Sequence, residues 1–133
     1  MSTVTEAPNA TVVRRLYDAI DAQDSAALAE VISPGVSVLI PGDTQLAGRY
    51  EGRDALFGYF GRLGALSGGT YRAELLDVYA NDAGAVALHH GTGTRGGKTL
   101  DAHVALVFDV EDGLITNATV FQKDQDGWDD FFS

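Results

Sequence analysis

Apolar residues recur three to four apart at Val12, Val13, Leu16, Tyr17 and Ile20, and this spacing predicts an amphipathic first helix of about three turns. Arg14, Arg15, Asp18 and Asp21 fall on its other face. A second short helix follows. Asp24 or Ser25 is placed to cap its free amides, Leu28, Val31 and Ile32 face inward, and Pro34 prevents continuation. The pattern then changes to the β-branched run 36–40, stopped by Pro41-Gly42-Asp43, which reads as a short strand and a turn. Leu56, Tyr59, Phe60 and Leu63 restore helical spacing between Gly52 and Leu66. Gly58, Gly61 and Gly64 weaken that helix in isolation and leave a bare strip where another backbone could approach or the helix could bend.

Four strands are expected next, at roughly 70–79, 84–95, 98–110 and 114–122, with hairpin turns at Asn81-Asp82, Gly96-Gly97 and Asp112-Gly113. Helices first and an antiparallel meander afterwards is an α+β order, with the helices covering one sheet face. A chain of 133 residues holds one core, so a single domain over 1–133 is expected. Residues 1–10 read as a flexible lead and 123–133 as a C-terminal tail.

Alternation along a strand assigns faces. In 98–110, Val104, Leu106, Phe108 and Val110 share one side, which this reading turns toward the helices. In 84–95 it groups Val86, Leu88, His90, Thr92 and Thr94 inward and sends Ala87 and His89 outward. His90 then sits among apolar neighbours as a proton carrier. Adjacent His89 and His90 diverge, so they form no metal pair, and neither metal nor cofactor is expected. Asp101 and His103, two apart on the outer side, have the spacing at which a carboxylate orients an imidazole. Trp128, Phe131 and Phe132 must be buried somewhere, so the tail is expected to fold over the open end of the sheet or a partner subunit, bringing Asp124 into the pocket.

Charge narrows the partners. Nineteen acidic against nine basic side chains leave a net charge of −10, which repels nucleic-acid phosphate and anionic lipid surfaces. Without cysteine the chain makes no disulfide and offers no thiolate ligand or nucleophile, as suits a reducing compartment. Residues 1–10 carry an acid and a proline in place of a basic region and apolar run, and no stretch of about 18 apolar residues occurs. A cytoplasmic location is expected.

The segment from Val13 to Asp24, with Ala27 to Pro34, resembles the opening helices of SnoaL-like proteins. Ile40-Pro41-Gly42, the stretch Leu46 to Ala55, and Phe108 to Ile115 are similar to that family's later landmarks. The resemblance covers nearly the whole chain and implies the cone-shaped nuclear transport factor 2-like fold, with N-terminal helices packed on a curved, mostly antiparallel sheet. In the related ketosteroid isomerases a general-base aspartate precedes the proline after the first strand, and here that position is Ile40. A second family acid would fall near Val104 to Leu106, where this chain is apolar. Tyr17 matches the first-helix tyrosine that donates a hydrogen bond to the substrate oxyanion, and Gln122 resembles a pocket-lining position on the last strand.

The resulting expectation is a polyketide cyclase- or isomerase-type enzyme, acting without a cofactor by acid–base chemistry on a hydrophobic carbonyl-containing substrate. His90, Tyr17 and Asp124 are its catalytic candidates. Ile40, Tyr59, Leu88, Thr92, Leu106, Gln122 and Trp128 are its substrate-binding candidates. The alternative is a noncatalytic binding module for an apolar metabolite, favoured by Ile40. The resemblance also implies a homodimer, for which a sheet face carrying Ala87, His89, Ala105 and Val107 supplies a physical motive.

Overall fold

The computed structural model describes residues 7–133. Helix α1 spans Pro8–Ala22, with Pro8 in the first turn, where its missing N–H costs nothing. Residues 8–10 of the expected flexible lead are therefore helical, and residues 1–6 lie outside the described part. Val13, Leu16 and Tyr17 are among the buried residues of α1. Gln23, at φ 54°, closes the helix in the left-handed region. Helix α2, Ser25–Val31, starts at Asp24, whose side chain accepts the Ala27 amide at 3.1 Å.

Strand β1 follows at once as Ile32–Ile40, earlier than the predicted start. Pro34 fits inside it because the pairing with the neighbouring strand shifts register between Ile32 and Ser37, so no ladder amide is needed there. Strand β2, Gly48–Glu51, was not predicted: it is short, largely exposed and has no apolar alternation. Helix α3, Arg53–Leu66, is anchored by Arg53, which donates to the carbonyls of Ile32 at 2.8 Å and Ala29 at 3.0 Å. One guanidinium thus satisfies acceptors at the α2–β1 junction and fixes where α3 begins.

Strands β3 (Arg72–Ala80), β4 (Gly84–Arg95), β5 (Lys98–Glu111) and β6 (Leu114–Gln122) form the predicted meander. The six strands make one open sheet in the order β2-β1-β6-β5-β4-β3, antiparallel except where β1 runs parallel to β6. The tail ends in helix α4, Gln125–Phe131, and buries Trp128, Phe131 and Phe132. Basic residues of the β4–β5 hairpin hold its C-terminal carbonyls: Arg95 donates to Phe131 and Ser133, and Lys98 to Asp130 at 2.6 Å. The helices and the even-numbered face of β5 enclose one hydrophobic core, open at one end. Among the described residues, no helix is long and apolar enough to cross a membrane.

Candidate functional site

The open end of that core is a cavity of about 590 Å³, within the range typical of small-molecule sites. Helices α1 and α3, the inner face of the sheet and α4 supply its wall. Gly61 and Gly64 border it, and among the described residues no other backbone comes within contact of either. The glycine strip of α3 therefore leaves space at the cavity wall and is not a close-packing seam.

The polar centre joins residues far apart in sequence. Tyr17 Oη of α1 lies 2.6 Å from His89 Nδ1 of β4, and Tyr71 Oη, just before β3, lies at a long 3.4 Å from His89 Nε2. The rings of Tyr17 and His89 meet edge to face, with centroids 5.4 Å apart. His89 is only 7% exposed. Burial, reinforced by the neighbouring His90 charge, pushes its pKa down to about 4, so the ring is neutral near pH 7. One nitrogen of a neutral ring donates and the other accepts, so the two tyrosines meet it in opposite senses. Burial raises the pKa of both Tyr17 and Tyr71, so both hydroxyls keep their protons.

Gly91 makes room for Tyr71, since a Cβ on residue 91 would stand 2.7 Å from the Tyr71 hydroxyl. Two further polar groups lie on the cavity wall. Among the described residues, Gln122 Oε1 and Trp128 Nε1 are buried there without a hydrogen-bond partner. His89, Val104 and Gln122 form one cross-strand row over β4, β5 and β6, so Gln122 starts two strand spacings, about 10 Å, from His89 along the sheet, whereas the Trp128 ring meets that of Tyr71 edge to face with centroids 6.1 Å apart. At the rim Arg72 and Asp21 pair with each other at 3.4 Å.

The face assignment of β4 needs correction. Arg95 pairs with Lys98 across the two-residue Gly96-Gly97 turn, so every odd-numbered β4 residue lies beside an even-numbered β5 residue. Paired residues share a face. His89 therefore points inward with Val104, and Ala87 inward with Leu106, while His90, Leu88 and Thr92 point outward. Leu88 is 37% exposed, and His90 bonds Asp101 on the outside. Asp124 is also outside the cavity, because its carboxylate caps α4 by accepting the Gly127 amide at 3.0 Å. Tyr17, Ile40, Tyr59, Leu106, Gln122 and Trp128 do stand on the cavity wall. Sequence reasoning missed His89, Tyr71 and Gly91. The turn length could have found the first; no local pattern marks Tyr71.

Residues 13–118 match the SnoaL-like domain family. The chain is similar to the solved structure of Bal32a from a soil-derived mobile gene cassette, at 37% identity and TM-score 0.91 over 95% of this chain and 97% of that one. It shares its fold with TerC, co-crystallised with polyporic acid, at 15% identity and TM-score 0.84 over 95% and 98% of the two chains. IdmH from Streptomyces antibioticus, a candidate polyketide cyclase, matches at 18% identity and TM-score 0.73 over 89% and 93%.

Proposed function

Because this chain belongs to the SnoaL-like domain family with its NTF2-like cone, we propose that it is a cytoplasmic, cofactor-independent enzyme of the cyclase or isomerase type, acting on a hydrophobic carbonyl compound in its cavity. The observation that carries this reading is the Tyr17–His89–Tyr71 contact at the end of an apolar cavity. It moves the general base from His90 to His89.

The long contact leaves Nε2 as the ring nitrogen a substrate can reach. For Nε2 to accept a proton, the neutral ring must carry its own on Nδ1 and donate it to Tyr17 Oη. Tyr17 is then free to donate its O–H to the substrate oxygen. In an enolisation, His89 takes the proton from the carbon beside the carbonyl while Tyr17 stabilises the oxyanion. Returning the proton to a different carbon isomerises the substrate; attack of the enolate carbon on a second carbonyl closes a ring. Gln122 and Trp128 would hold a second polar group of the substrate, such as a hydroxyl.

A second reading, a noncatalytic module for an apolar metabolite, draws on Ile40, which is buried on the cavity wall where the isomerases place their base. One experiment separates the two. Ligand extracted from purified protein is identified by mass spectrometry and returned to fresh protein in deuterated water. Conversion or deuterium uptake that disappears in His89→Ala supports the enzyme; an unchanged, unlabelled ligand that raises the melting temperature supports the binding module and overturns the enzyme.

We also propose that the chain forms a homodimer. Leu76, Tyr79, Leu88, Val107 and Phe121 are large apolar side chains left exposed on strands β3 to β6, and Leu88 and Phe121 share a row with Ala105 on the outer sheet face. This grouping replaces the one expected from sequence, because Ala87 and His89 are buried inside.

A further inference from the structure

On the outer face of the sheet, behind His89, a group of three side chains is independent of the cavity. His90 of β4 stands directly opposite His103 of β5, and their rings stack with centroids 4.9 Å apart and planes 14° from parallel. Asp101 lies two residues before His103 and therefore on the same face. Its Oδ1 is 2.5 Å from His90 Nε2 and 3.9 Å from His103 Nε2. The three ligand atoms all fall within 4.8 Å of one another.

We infer that His90, Asp101 and His103 form a binding site for a divalent transition metal ion, with zinc(II) as its representative. Two imidazoles and one carboxylate are a donor set of borderline softness, suited to zinc, nickel or copper and not to calcium or magnesium. Ligands about 2.1 Å from one zinc ion must stand a little over 3 Å from each other. The two imidazoles already face the same carboxylate, so the fit requires Asp101 to back away from His90 and His103 to move closer. Asp101 and His103 are both mostly exposed, at 74% and 55% for their side chains, so neither movement disturbs the core. The ion would take the place now held by the proton in the His90–Asp101 hydrogen bond. Its remaining positions would face solvent, where water completes the shell, and it would tie β4 to β5 from outside.

Parity along β4 turns His89 and His90 to opposite faces, which rules out a metal pair of those two residues. The ligands come from adjacent strands and not from adjacent residues. Glu74 of β3 is opposite His90 in register, and it lines the depression beside His90 together with Arg72 and Thr92 and with Arg14, Asp18 and Asp21 of α1. It adds negative charge on the side away from His103.

The test is calorimetric titration of zinc chloride into tag-free, chelator-treated protein, together with histidine-ring nitrogen NMR. The chain has only three histidines, so each ring signal is assignable. We expect one ion per chain in the micromolar range, shifts of the His90 and His103 Nε2 signals with His89 unmoved, and at least about tenfold weaker binding in both His103→Ala and the isosteric Asp101→Asn. No binding up to millimolar zinc, binding undiminished in both variants, or shifts confined to His89 overturns the site. The NMR result stands even where a variant fails to fold.

Discussion

A Cβ at position 91 would lie 2.7 Å from the Tyr71 hydroxyl, so Gly91 and Tyr71 occupy one space between them. Gly91→Ala must push the ring away from His89 Nε2, since neither sheet backbone nor the phenol can yield cheaply. We expect a stability loss of about 1–3 kcal/mol by urea unfolding. Turnover or ligand affinity should fall further than in Tyr71→Phe, which removes the hydroxyl but keeps the ring in place.

The buried imidazole makes stability depend on pH. In the unfolded chain His89 takes up a proton near its ordinary 6.5, but in the folded protein only near 4. Between those values the unfolded state binds more protons, so the contribution is fully present above about pH 6.5 and is lost as pH falls toward 4. Its size is at most about 3 kcal/mol. Denaturant melts at pH 7 and pH 4.5 should show a shallower pH dependence in His89→Gln than in the parent; equal slopes would refute the buried, neutral ring.

Tyr17 and His89 should behave as one unit in a double-mutant cycle. Tyr17→Phe leaves His89 Nδ1 without its 2.6 Å partner, which costs about 1–3 kcal/mol of stability. Under the proposed chemistry Tyr17→Phe lowers kcat by about 10- to 1000-fold and His89→Ala by about 100- to 10,000-fold. The double variant should lose far less than the product of the two.

Trp128 is the only tryptophan, and it stands on the cavity wall. Its fluorescence should therefore change on ligand binding with no label added. Removing residues 125–133 deletes that wall along with Phe131 and Phe132, so the truncated chain should lose both the signal and ligand affinity. Intact affinity in the truncated chain would show that α4 does not close the site.

The outer-face contact is testable by size. Phe121, 53% exposed, projects opposite the cavity, so Phe121→Lys should leave folding and the interior unaltered. In sedimentation it should convert a dimer to monomers by placing a charge in an apolar contact. An unchanged dimer would place the interface elsewhere, and a monomeric parent would refute dimerisation.

Much of this molecule was legible before folding because the relevant physics is local. The stripe of Val12, Val13, Leu16 and Tyr17 set α1, Asp24 set the start of α2, and turns of Asn, Asp and Gly set the three hairpins of the meander. The need to bury Trp128, Phe131 and Phe132 brought the tail back over the sheet. The inward face of β5 followed from its own alternation. Even the inward turn of His89 is implicit in the chain, since a two-residue turn at Gly96-Gly97 reverses parity between β4 and β5.

Other features belong to the tertiary structure alone. No sequence period marks the parallel pairing of β1 with β6, because it depends on how the chain crosses the sheet. The meeting of Tyr17 with His89, 72 residues later, arises only when α1 packs on the inner face of the sheet. The same holds for Tyr71 beside Gly91, and for His90 with Asp101 and His103 across β4 and β5. Local spacing determined which elements form and which residues share a side. Packing decided which side became the interior, and with it which of two neighbouring histidines is held neutral in the cavity and which faces outward beside a carboxylate.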